Sequence, residues 1–235
     1  MSVWILLCLS ALASAVVYLE TWSIGQFLLG RPALLLPLTG LVCGQLDAGL
    51  WMGLSLELLL LREMPLGAAS PPDPVLGGFL GFMAVNLAGS PADGVELRVF
   101  TGLLLAVGLS YLAAWHTHWQ RQLNTKYWYD RFEQAVENDA PQTVNRLFLT
   151  AMAGTLLIAF AFGFLVLLAA VPLAGWLLAG LHHLSSPPAL FKWLVLAAAV
   201  GTGLKLGTGR KPGSYFLAGW VGSVGLYLIV MELVG

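Results

Sequence analysis

No Asp, Glu, Lys or Arg occurs in residues 147–191, a run of about 45 residues. Water cannot host so long a charge-free stretch on a protein surface, whereas a bilayer needs only about 20 predominantly apolar residues for one helical span. The run is therefore long enough for two spans, or for one span and a re-entrant piece, with Pro172 and Gly175 marking the expected break. Residues 1–19 form a second charge-free run. No basic segment precedes it, and Ala11 and Ala13 lie within it rather than after it, so it reads as a retained span and not as a cleaved leader. With 58% hydrophobic residues, 10% charged residues and a mean hydropathy of +0.82, the chain reads as an all-α polytopic integral membrane protein. A net charge of -1 leaves no basic surface for nucleic acid.

Charges inside apolar sequence are costly, and residues 31–74 collect them: Arg31, Asp47, Glu57, Arg62, Glu63 and Asp73. Glu57 follows nine uncharged residues and precedes four leucines, so in lipid it would cost several kcal/mol unless it meets a partner or a polar cavity. Arg31-Pro32 opens this stretch as proline opens a helix. Gly40, Gly44, Gly49 and Gly53, with Gln45 and Asp47 between them, predict two short helical pieces or a re-entrant hairpin rather than one span. Pro65, Pro71, Pro72 and Pro74 break the backbone again beside the same carboxylates. Interrupted helices in the N-terminal half are thus expected, and charge and breakage coincide there.

Residues 74–90 form the next apolar piece, with Asn86 as its amide and Gly77, Gly78 and Gly81 positioned for close approach by another helix, here assigned to a membrane partner. Residues 99–115 make a further span that leaves through Trp115-His116-Thr117-His118-Trp119, an expected interfacial belt. Residues 120–146 are polar and are expected as one or two helices at the membrane surface. They and residues 205–211 hold seven of the eleven basic side chains, which places both on the cytoplasmic side. The final span is expected over residues 212–231.

His116 and His118 do not share a helix face, so they make no metal site by themselves. Cys8 and Cys43 lie in apolar runs and read as small buried hydrophobes. The segment around Gly201 to Arg210 matches no phosphate-binding spacing, and no nucleophile elbow or zinc-protease motif occurs. No catalytic residue, metal or cofactor is expected.

The stretch from Arg31-Pro32 through Gly40, Gly44, Gly49, Gly53, Ser55-Leu56-Glu57, Met64, Gly67-Ala68-Ala69 and Pro72-Asp73 resembles the signature of the IIC membrane component of the mannose/fructose/sorbose class of the bacterial sugar phosphotransferase system (PTS). The resemblance implies one membrane domain over residues 1–235. In it 1–115 hold the N-terminal helices with the broken 31–74 stretch, 116–147 the polar cytoplasmic segment and 148–235 the C-terminal helices. It further implies a multi-pass protein of the bacterial inner membrane, embedded in the lipid bilayer, that passes a hexose or related sugar. A IID membrane subunit and the IIA and IIB phosphocarrier domains would complete a hetero-oligomer, with IIB phosphorylating the sugar. Glu57 and Asp73 are carried over as sugar-binding residues, and Gln26, Gln45 and Asn86 join them on hydrogen-bonding chemistry alone. Arg62-Glu63 and Pro65 depart from the pattern, which has small or aromatic residues and an amide there. A channel or exporter uncoupled from phosphorylation is the alternative, and an intramembrane enzyme using Glu57 and Asp73 as its acid and base is a third reading.

Overall fold

The computed structural model describes residues 2–22, 30–60, 72–90 and 93–181. Within them the chain is helical, with α1 at Val3–Trp22, α2 at Pro32–Val42, α3 at Leu46–Leu60, α4 at Pro74–Ala88, α5 at Val95–Asn124, α6 at Asp130–Glu137 and α7 at Pro141–Leu181. A π turn, Thr125–Tyr129, joins α5 to α6. Among the described residues, three stretches are long and apolar enough to cross a membrane: Val3–Thr21, Val95–Glu137 and Pro141–Leu181. The chain is an all-α, multi-pass membrane protein.

The interrupted N-terminal half is observed. Arg31 is extended, as a residue before proline must be, and Pro32 starts α2 at a position whose amide would have no helical partner. The helix ends at Cys43, where Gly44 takes φ +69. Two backbone bonds close the turn, Gln45 N–H to Gly40 O at 2.6 Å and Gly44 N–H to Leu41 O at 3.3 Å, the pairing of a Schellman cap. At 11 and 15 residues, α2 and α3 are about 17 and 22 Å long, too short for a hydrocarbon core of about 30 Å. They fold back on each other as a hairpin. A Cβ at Gly53 would stand 2.6 Å from the Pro32 carbonyl, and one at Gly49 would strike that of Leu36, so the two backbones touch along their length.

Helix α4 is apolar on every side and correspondingly buried on every side, from Val75 and Leu76 through Phe79, Leu80 and Phe82 to Val85. Gly77 and Gly81 lie against α5 at Ser110 and Ala106, while Gly78 receives Leu56 of α3. The close approach predicted for these glycines is present, but it is made within the chain, and the assignment of this face to a partner is corrected. Around α4, one core cluster joins α1, α4, α5 and α7 and a second joins α2, α3, α4 and α5 with Val17 of α1.

Two further expectations are revised. Helix α7 runs without a break through Pro172 and Gly175. At membrane depth, an open break would leave backbone groups without water, so the helix carries the proline instead. The polar segment does not form separate surface helices: it continues α5 into α6, turns at Asn138-Asp139-Ala140 with Asp139 at φ 45, and returns as α7. At 43 and 41 residues, the two arms reach roughly 60 Å, about twice the hydrocarbon thickness, so the closed end of this hairpin projects well beyond it. The spans and loops expected beyond residue 181, and the prolines at 65 and 71, lie outside the described residues.

Cys8 and Cys43 are both exposed, not buried. Cys8 shares an outward face of α1 with Trp4, Ile5, Leu9 and Leu12, and Cys43 sits at the tip of the α2–α3 hairpin. Lipid accepts an apolar side chain as readily as a core does, so hydrophobicity alone did not assign the side.

Candidate functional site

Two carboxylates sit at the starts of short helices. Glu57 Oε1 accepts from Arg31 Nη1 at 2.8 Å, and Glu57 Oε2 lies 3.4 Å from the backbone N–H of Ala33, in the first turn of α2. That helix has no cap from its own N-terminal side chain, and Glu57 supplies a negative charge at its positive end from 24 residues downstream. Asp73 is the N-cap of α4, its Oδ1 accepting from Val75 N–H at 3.1 Å and Leu76 N–H at 3.0 Å. The Asp73 amide in turn donates to the Ser110 carbonyl of α5 at 3.0 Å.

These contacts fix the depth of the site. Ser110 is 15 residues into α5, or about 22 Å from its start, and α5 continues for another 14 residues beyond it. Helix α4 therefore begins inside the span of α5, not at its end. Leu56, beside Glu57, packs on Gly78, which is about one and a half turns from Asp73. Glu57 and Asp73 thus each meet the N-terminus of a short helix, and α3 beside Glu57 passes α4 within about two turns of its Asp73 end.

The other predicted residues are not gathered there. Gln45 closes the tip of the α2–α3 hairpin, 12 residues and about 18 Å along α3 from Glu57. Asn86 lies in the last turn of α4, about 20 Å from Asp73. Its amide donates to the Phe82 carbonyl and its Oδ1 accepts from Arg98 Nη1 at 3.3 Å, which ties the far ends of α4 and α5 together. Gln26 lies outside the described residues.

Sequence reading passed over a second polar layer near Asp73. His116, buried, stacks on Phe162 at 4.1 Å and tilts against Tyr18 at 5.1 Å, so a histidine expected at an interface instead joins α1, α5 and α7. One turn on, Gln120 Nε2 donates to Thr155 Oγ1 at 3.1 Å. Among the described residues His118 reaches only Gln122, and no three His, Cys, Asp or Glu side chains are placed to hold a metal. Sequence reading also missed Glu20, whose carboxylate is buried near the end of α1 with neither oxygen hydrogen-bonded among the described residues. The signal was visible as the one acidic residue of α1, but charge alone does not report burial.

The geometry of interrupted, acid-capped helices agrees with a family match. The model of the family described as the PTS system sorbose-specific IIC component matches residues 3–200. The chain belongs to this IIC family. A similar protein of Escherichia coli (strain K12), named "Putative N-acetylgalactosamine permease IIC component 2", is 34% identical over 83 residues, which is 35% of this chain and 62% of that protein. The chain thus matches less than two thirds of that relative's length. In this IIC chain the match by family covers α1 through α7, so the hairpin, the Asp73 cap and the long arms all lie within it.

Proposed function

We propose that the protein is the sugar-translocating IIC subunit of a mannose-class phosphotransferase complex, binding a hexose or related sugar at Glu57 and Asp73 while a partner IIB domain phosphorylates it. The observation that supports this reading is that both carboxylates meet the N-termini of short, interrupted helices and that α4 begins alongside the interior of the long helix α5. Backbone may be interrupted there only beside protein or a wet cavity, and such interruptions are where transporters hold polar substrates. Glu57 uses one partner on each oxygen, and a carboxylate offers about four acceptor positions, so two remain for sugar hydroxyls. The phosphoryl chemistry falls to IIA and IIB, with a IID subunit completing the membrane path in the bacterial inner membrane. The family description and the relative's name make sorbose and N-acetylgalactosamine the sugars to titrate.

Glu57→Gln and Asp73→Asn are each expected to weaken sugar binding about ten-fold to a hundred-fold, the 1.5–3 kcal/mol of a hydrogen bond to a charged group. Asparagine caps a helix about as well as aspartate, so Asp73→Asn keeps its thermal stability. Unchanged affinity in both variants removes the site; a lowered melting temperature with unchanged affinity leaves only the ion pair and the cap.

The closed end of the α6–α7 hairpin is expected on the cytoplasmic side, since Arg121, Lys126, Arg131 and Arg146 flank it. With the exposed Cys8 and Cys43 first replaced by alanine, Asn138→Cys should react with a membrane-impermeant maleimide in inside-out vesicles and not in intact cells. Reaction in intact cells overturns the orientation.

A further inference from the structure

We propose that Arg31 has two seats, Glu57 and Glu20, and that exchange between them frees Glu57 for substrate. Glu20 lies in the last turn of α1 with 6% of its surface exposed, and among the described residues neither of its oxygens has a hydrogen-bond partner. A charge held that way costs several kcal/mol unless a counter-charge reaches it. The chain returns to this carboxylate at Gly30, where a Cβ would stand 3.4 Å from Glu20 Oε2. Arg31 is the next residue, its Cα about 3.8 Å further on, and an arginine side chain is long enough to cover that separation. In the present arrangement its guanidinium is paired with Glu57 at 2.8 Å.

The geometry favours exchange over a permanent pair. The Arg31 side chain is 63% exposed and that of Glu57 21%, so the described residues confine the guanidinium little and it is open to replacement by a hydroxyl. A displaced Arg31 does not enter lipid uncompensated, because the buried Glu20 carboxylate lies beside its own backbone. Glu57, relieved of Arg31, keeps the Ala33 amide and gains an acceptor position for a hydroxyl. Only this last step rests on the sugar reading above; the two seats stand on the geometry of Gly30, Arg31 and the two carboxylates.

The test is a mutant cycle on the full-length protein purified from membranes. Glu20→Gln and Glu57→Gln each leave Arg31 one seat, so each alone should lower the melting temperature little. The double variant leaves it none, and its loss should exceed the sum of the singles by about 2–4 °C. In an Arg31→Met background the same excess should vanish, which a purely structural role for either carboxylate does not require. Additive losses with Arg31 present overturn the proposal, as does an excess that survives Arg31→Met. Sugar titration of Glu57→Gln separates the two readings. Unchanged affinity with the excess present overturns the sugar site and supports the two seats, whereas lost affinity with additive melting overturns the two seats alone.

Discussion

Gly77→Val should strongly destabilise the folded bundle, while Gly108→Ala, in the neighbouring helix, should leave it intact or slightly more stable. A Cβ at Gly77 would overlap the backbone nitrogen and the Cα of Ser110, and these atoms cannot rotate away as a side chain can. Sliding α5 aside would disturb two other contacts on the same face. Gly81 is packed on Ala106, with its Cβ position 2.9 Å from the Ala106 nitrogen, and the Asp73 amide is bonded to the Ser110 carbonyl. Overpacking against yielding side chains costs about 1–3 kcal/mol, and against backbone held at three points the cost should be at the upper end or beyond. That is a large share of the roughly 5–15 kcal/mol by which a domain is stable. Gly108, by contrast, has nothing within 4 Å of its Cβ position, so alanine there gains about 0.5–1 kcal/mol of helix propensity. Melting curves of the two purified variants check the pair. A Gly77→Val protein that melts with the parent would show that α4 does not lie against α5 as described.

Arg98→Met should cost about 2–4 kcal/mol and loosen the turn between α4 and α5. Arg98 is 5% exposed, and its guanidinium donates to three acceptors: the Ser90 carbonyl at 2.5 Å, the Asn86 Oδ1 at 3.3 Å and, through Nε, the Asp93 carbonyl at 3.3 Å. Methionine keeps the apolar stem but removes every donor, and the acceptors it abandons are partly shielded from water. Arg98→Lys should rescue little, because an ammonium is a single point and cannot span three acceptors as the planar fork does. The measurements are thermal stability and the rate of proteolysis in the turn before Val95. Equal stability of the Met variant and the parent would mean that the turn is held by other contacts.

The two predictions differ in how far the sequence foretold them. Gly77 was marked for close packing on composition, yet its neighbour was taken to be another subunit; only the fold showed Ser110 of the same chain. Arg98 was visible merely as the charge before a span. Its partners lie 5, 8 and 12 residues upstream, across a turn whose shape no local rule specifies. The same holds for the candidate site. Asp73 was marked as a sugar-binding carboxylate beside a broken backbone; that it caps α4, with Pro74 as the first helical residue, came from the fold. Glu57 was legible as a charge that needed a partner. That the partner is Arg31, 26 residues earlier, required the α2–α3 hairpin to close.

Sequence alone therefore determined what depends on solvation and local sterics: the membrane class, the start of α2 at Pro32, and the break near Gly44 that makes two short helices of one apolar run. Each follows from the cost of a charge or an unbonded peptide group in lipid, or from the dihedral angles that proline and glycine allow. Tertiary structure alone decided which apolar faces look inward, how α7 continues through Pro172, and which residues meet across helices. The reason is that lipid and protein interior are alike to an apolar side chain, so hydrophobic periodicity, which orients a helix in water, carries little information here, and packing of small residues takes over that choice.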